Sequence, residues 1–128
     1  MEQEGFVSLW VGNVKSFEEL DRLLMVSYSD EGDFIPSIFA NHFEIRRYDD
    51  AVREAEYYEE ASNNLNLLLE GFSYDDQIAP KFNTLVQEEL SNDINAVILL
   101  YNFKYTGQIA EATFSSNYLK YLGTVEYQ

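Results

Sequence analysis

The chain has 128 residues, 46% of them hydrophobic, which is enough apolar material for a core and too much for a disordered acidic tail. Against 8 Lys and Arg stand 23 Asp and Glu, a net charge of −15, which argues against direct contact with nucleic-acid phosphates or an anionic membrane surface. The chain has no Cys, which excludes disulfides and thiolate metal sites and fits a reducing compartment.

The start Met1–Gly5 is acidic and lacks the basic-then-apolar pattern of a secretory signal. The longest apolar run, Ala96–Tyr101, has six residues, whereas a membrane helix needs roughly 20. A soluble, cytoplasmic protein with a single domain over residues 1–128 is expected. Phe6–Val11 is rich in β-formers and ends at Gly12-Asn13, a turn signal, so it predicts a strand. Ser16 opens a Ser-x-x-Glu pattern with Glu19, in which the hydroxyl caps a first-turn amide and the carboxylate reaches back to the Ser16 amide. Phe17, Leu20, Leu23 and Leu24 follow at helical spacing and predict an amphipathic helix from Ser16 to about Tyr28. Ser29–Asp33 is an acidic turn, and Pro36 is placed to open a short helix with Ile38, Phe39 and Phe43 facing inward.

Glu44–Glu60 is ambiguous: Ala51, Ala55 and Tyr58 suit a helix, but the charged run Arg53–Glu60 suits an exposed edge strand, and the strand is favoured. Ser62 is a candidate cap for Leu65, Leu68 and Leu69, with Gly71 as a stop. Ser73 with Asp76 marks another helix start, with Ile78, Phe82, Leu85 and Val86 as its stripe and Pro80 as a kink or a restart. Ala96–Tyr105 is nearly all apolar and predicts a strand covered on both faces, punctuated by Thr106-Gly107. Tyr118–Tyr127 predicts a closing strand with Gly123 at a bulge. The order suggests an α+β fold: a mixed or mainly antiparallel sheet of about four strands with helices packed against it.

Catalytic signatures are scarce. His42 is the only His, so neither a nucleophile relay nor a zinc site is supported. The Asp30–Asp33 turn looks suited to calcium. Aligning Gly32 with the EF-hand glycine, however, puts Ser27, Ser29 and Ile38 at ligand positions one, three and twelve. The glycines are scattered, so there is no phosphate-binding loop, and Arg46-Arg47 is expected to pair with Asp49 and Asp50. No enzyme activity, cofactor or metal is expected.

The acids are unevenly placed. Asp49–Glu60 holds six acids and one Arg, and Glu18–Asp33 holds the same. Acids commonly serve only solubility. Here they interleave with aromatics: Glu56-Tyr57-Tyr58-Glu59-Glu60 sets two Tyr, a residue enriched at binding hot spots, inside a charged run. An acidic face steers a basic partner and speeds its capture by about 10–10³. A basic nuclease is such a partner. The candidate contacts are Asp49, Asp50, Glu54, Glu56, Tyr57, Tyr58, Glu59 and Glu60, with Asp30, Glu31 and Asp33 as a second patch.

Six stretches carry a resemblance to a known family: FVSLWVGN (Phe6–Asn13), SYSDEGDFIPSIFANHF (Ser27–Phe43), REAEYYEE (Arg53–Glu60), LLLEGFSYDD (Leu67–Asp76), VILLYNFKYTG (Val97–Gly107) and YLGTVEY (Tyr121–Tyr127). The chain resembles the immunity protein 22 family of bacterial polymorphic-toxin systems over nearly its whole length. The resemblance implies a small cytoplasmic α+β protein, encoded beside a toxin, that binds the toxin domain and blocks it. It supplies no contact residues. Two readings compete with it. A nucleic-acid mimic that regulates or inhibits a DNA-binding protein would use the same acids, but it would bind several unrelated basic proteins. A small carboxylate enzyme would need a concave pocket with a raised carboxylate pKa.

Overall fold

Alternation along one apolar run organises the molecule. In Val97–Tyr101 successive side chains point to opposite faces of a sheet, and every one of them is buried. Ala96, Ile98 and Leu100 enter one core, while Val97, Leu99 and Tyr101 enter another. This run belongs to the longest strand of the computed structural model, which describes all 128 residues. In chain order the elements are β1 (Glu2–Asn13), α1 (Phe17–Leu24), β2 (Ser27–Tyr28), β3 (Phe34–Ile35), α2 (Ile38–His42), a 3-10 turn (Asp50–Val52), β4 (Arg53–Asn64), α3 (Leu65–Leu69), α4 (Asp75–Leu85), β5 (Glu89–Phe103), β6 (Glu111–Phe114) and β7 (Asn117–Glu126).

The fold is α+β. Five antiparallel strands form one sheet in the order β4-β5-β1-β7-β6, and β2 pairs with β3 in a separate hairpin. The sequence predicts about four strands. The difference comes from β6, a four-residue edge strand, and from β2 and β3, two residues each, which are too short to show an alternating pattern. Helices α1 and α2 cover one face, and α3 and α4 cover the other. The first core is built around Trp10. Phe39, Tyr121, Tyr105 and Phe43 surround its indole with ring centroids 5.0, 5.2, 5.3 and 5.8 Å away, mostly edge-on.

Local chemistry sets the element ends. Ser16 caps α1 as expected, its hydroxyl accepting from the Glu19 amide at 3.1 Å. Glu19 does not reach back to Ser16. It accepts instead from Arg22 at 2.6 Å and from the buried Asn117 at 2.9 Å, and these two partners hold its carboxyl down to about 2. Asn117 also accepts from the Lys15 amide, so this network ties the start of α1 to the start of β7. α1 stops at Leu24, short of the expected Tyr28, because Met25 turns extended and Ser27-Tyr28 pairs with Phe34-Ile35. α3 is capped by Asn64, not by Ser62, because Ser62 is held in β4 opposite Ile94. α4 starts after Tyr74 and runs through Pro80 without a break. Ser73 is drawn away from the capping position by Glu54, which accepts from both its amide and its hydroxyl.

Gly12 does not end β1. It lies inside the strand opposite Leu119, and a Cβ there would sit 1.8 Å from the Tyr118 carbonyl oxygen. The β1–β7 pair can approach this closely only at glycine. Gly123 does sit at a bulge, where the β1–β7 register shifts between Leu9 and Trp10. Gly12→Ala should therefore cost about 3 kcal/mol of stability by forcing β7 outward. Urea denaturation measures this, and an unchanged midpoint would contradict the packing described.

Candidate functional site

β4 carries most of the candidate contacts. It is an edge strand, paired with β5 on one side only. From Arg53 to Tyr57 the pairing is regular, running from Arg53 opposite Leu100 to Tyr57 opposite Ala96. The register then breaks, and the next aligned pair is Ser62 with Ile94. Residues Tyr58–Ala61 thus lie opposite Asn95 alone and bulge outward, carrying Glu59 and Glu60 into solvent.

Alternation divides the strand between two environments. Ala55 and Tyr57 pack against the core under α1 and α2. Glu54 and Glu56 point to the other face, where Tyr58 packs against the core under α3 and α4. The Tyr58 hydroxyl donates to the Leu68 carbonyl at 2.5 Å. Burial first, and then the charges of Glu56 and Glu70, push the Tyr58 phenol up to about 12. Both tyrosines are half-buried, so each offers a partner only part of its ring.

Two neighbouring residues fasten β4 to the elements on either side. Arg53 donates from Nη1 to the Leu24 carbonyl at 2.7 Å, a cation placed at the C-terminus of α1. Glu54 accepts from Ser73 in the turn before α4. A groove of about 480 Å³ runs along the edge between these attachments. Phe17, Leu20, Asp21 and Leu24 of α1 form one wall, Gly71 and Phe72 form the other, and Arg53–Tyr57 form the floor. Phe17 is 61% exposed although it falls on the apolar stripe of its helix. The sequence does not reveal this groove. The α1 stripe is visible there, but not that its first residue overhangs a sheet edge.

The remaining acids lie at the approach to β4. Asp49 caps the 3-10 turn through the Ala51 amide at 2.9 Å, and Asp50 follows it. Both line a cleft with Tyr28 and Phe34 of the β2–β3 hairpin and with Arg47. Asp30, Glu31 and Asp33 are exposed in the turn of that hairpin, which Ser29 closes by accepting from the Asp33 amide. The hairpin, the 3-10 turn and the start of β4 therefore share one region, while Glu59 and Glu60 stand apart at the bulge. Arg46 and Arg47 do not pair with Asp49 and Asp50. Arg47 lies over the Phe34 ring, 5.6 Å from its centroid, because the hairpin brings an aromatic face within reach. The one ion pair of the molecule joins Glu19 and Arg22, so the acids of β4, the 3-10 turn and the hairpin are uncompensated.

No three His, Asp or Glu side chains converge as a metal-ligating set. His42 stacks on Phe114 at 3.9 Å on the exposed surface. No helix is long and apolar enough to cross a membrane.

A family model described as Immunity protein 22 matches residues 7–128. The chain belongs to the immunity protein 22 family. Membership gives it a toxin-immunity role in general terms and a toxin as the kind of partner it binds. No curated protein and no solved structure matches it.

Within the β4 surface of this immunity protein, Tyr58 has a structural task that Glu59 and Glu60 do not share. Tyr58→Phe should cost ~1 kcal/mol through the lost bond to Leu68. Glu59→Lys with Glu60→Lys should stay within about 0.5 kcal/mol of the parent chain. Equal losses in urea denaturation would contradict this division of roles.

Proposed function

We propose that this chain is a cytoplasmic, stoichiometric inhibitor that binds and occludes the domain of one cognate toxin, a basic domain of nuclease type, and performs no reaction itself. It acts as one immunity-protein domain over residues 1–128. The observation that carries this reading is the uncompensated charge. Two acid-rich stretches reach the surface, and neither contains an ion pair beyond Glu19–Arg22. Carboxylates left without a cationic partner keep their field for an incoming cation, and that field steers encounter before any contact forms.

The mechanism follows from the layout. Acids of the β2–β3 turn, the 3-10 turn and β4 draw in Lys and Arg that would otherwise bind a polyanionic substrate. Once docked, the exposed parts of the Tyr57 and Tyr58 rings supply apolar area. Burying the toxin's cationic surface denies it to substrate, with no need for a catalytic group on the inhibitor.

The test uses the toxin domain encoded beside this chain. Co-expression should rescue cells carrying that domain. Reversing charge at Glu56, Glu59 and Glu60 together should lower the association rate by about tenfold at low salt and flatten its dependence on ionic strength. Stopped-flow mixing reads both quantities. An association rate unchanged by these variants at every salt concentration would remove the β4 acids from the mechanism.

A further inference from the structure

We infer that the β4 edge groove is a strand-addition site: a segment of about five residues from the basic toxin domain pairs with Arg53–Tyr57 and extends the sheet. This rests on the reading of the chain as a toxin inhibitor, and it names how the toxin is held.

Three independent features converge on the site. The first is the backbone. β4 has a sheet neighbour on one side only, so alternate residues of Arg53–Tyr57 turn an amide and a carbonyl outward. The Arg53 amide is taken by the Asp50 carbonyl at the end of the 3-10 turn, and no turn, loop or cap bond uses the backbone groups of Glu54–Tyr57. The second is shape. An edge strand is normally blunted by a bulge, by charge or by a covering element. Here the bulge at Tyr58–Ala61 protects one end, and Glu54 and Glu56 discourage strands that carry no basic residues, while Arg53–Tyr57 keeps a regular register between two walls. The walls are fixed, because Arg53 holds the end of α1 and Glu54 holds the turn before α4. A groove held open in the free protein spares a partner the cost of opening it.

The third is the difference between the two walls. On the α1 side an added strand meets Phe17, Leu20 and Leu24 with Asp21 among them, and Ala55 and Tyr57 alongside on the floor. On the other side it meets Glu54 and Glu56, and an adjoining cavity shared with Glu56 and Phe72 adds Glu70. A strand presents alternate residues to the two sides. The occupant this groove fits therefore alternates apolar or aromatic residues with Lys or Arg. A second copy of this chain does not fit. Pairing two β4 strands about Ala55 would set Glu54 opposite Glu56 on both arms, and like charges directly opposite are destabilising. Each copy would also bring a net charge of −15.

Hydrogen exchange of the full-length chain, free and saturated with the neighbouring toxin domain, tests the assignment. The outward amides within Glu54–Tyr57 should slow by about tenfold or more in the complex. Two variants complement it. Phe17→Ser and Asp21→Lys alter the exposed wall without touching β4, and each should raise the dissociation rate by about tenfold. If the toxin domain binds and is neutralised while these amides exchange as in the free chain, strand addition is overturned and the inhibitor reading stands. If the domain neither binds nor is neutralised, the inhibitor reading falls and the proposal falls with it. Sedimentation showing a dimer closed through β4 would also overturn it.

Discussion

Everything outside the two cores is arranged by the burial of β5 and β1 on both faces. A strand covered on one side only can spend alternate positions on charge. β5 cannot, because Ala96–Leu100 feed two hydrophobic clusters in turn and are almost wholly removed from water. Each fully buried Val, Leu or Ile is worth about 1.5–3 kcal/mol, so this run and its β1 neighbours supply a large share of the driving force. Charge is thereby expelled from the middle of the sheet. Nine of the 23 acids lie at the β4 edge, in the turn of the β2–β3 hairpin and in the 3-10 turn that leads into β4, and the others are spread over strand ends, helices and loops.

What the sequence disclosed follows this hierarchy. The apolar run of β5 and the β-formers of β1 are visible because burial on two faces leaves few alternatives to hydrophobic residues. The charged run of β4 is legible as an edge because negative charge there discourages unwanted pairing. The Ser16 cap is a local rule and is visible for that reason. Choices decided by distant contacts were not legible. Glu19 prefers Arg22 and Asn117 to its own helix start, Asn117 being 98 residues away along the chain. Arg47 prefers the Phe34 ring to nearby carboxylates. Ser62 loses the α3 cap to Asn64 because β5 holds it in the sheet. Gly12 looks like a turn residue, but it is needed where β7 passes close to β1.

The candidate site was half legible for the same reason. Its charge and tyrosines can be counted along the chain, but its walls cannot. The groove exists because α1 and the Gly71-Phe72 turn, 47 residues apart from Leu24 to Gly71, are fastened to β4 from opposite faces. Membership of the family makes a toxin the kind of partner that would meet such a surface. In the proposed mechanism the acids act at range and the groove at contact, so the first would govern how fast a partner arrives and the second how long it stays.

In the proposed reading this chain neutralises a cationic toxin domain by direct, charge-driven binding. Isothermal titration of the purified chain into the neighbouring toxin domain across a salt series tests it most directly. One chain should bind per toxin domain, with an affinity that falls steeply as salt is added. No heat of binding at any ionic strength, or an affinity indifferent to salt, would contradict it.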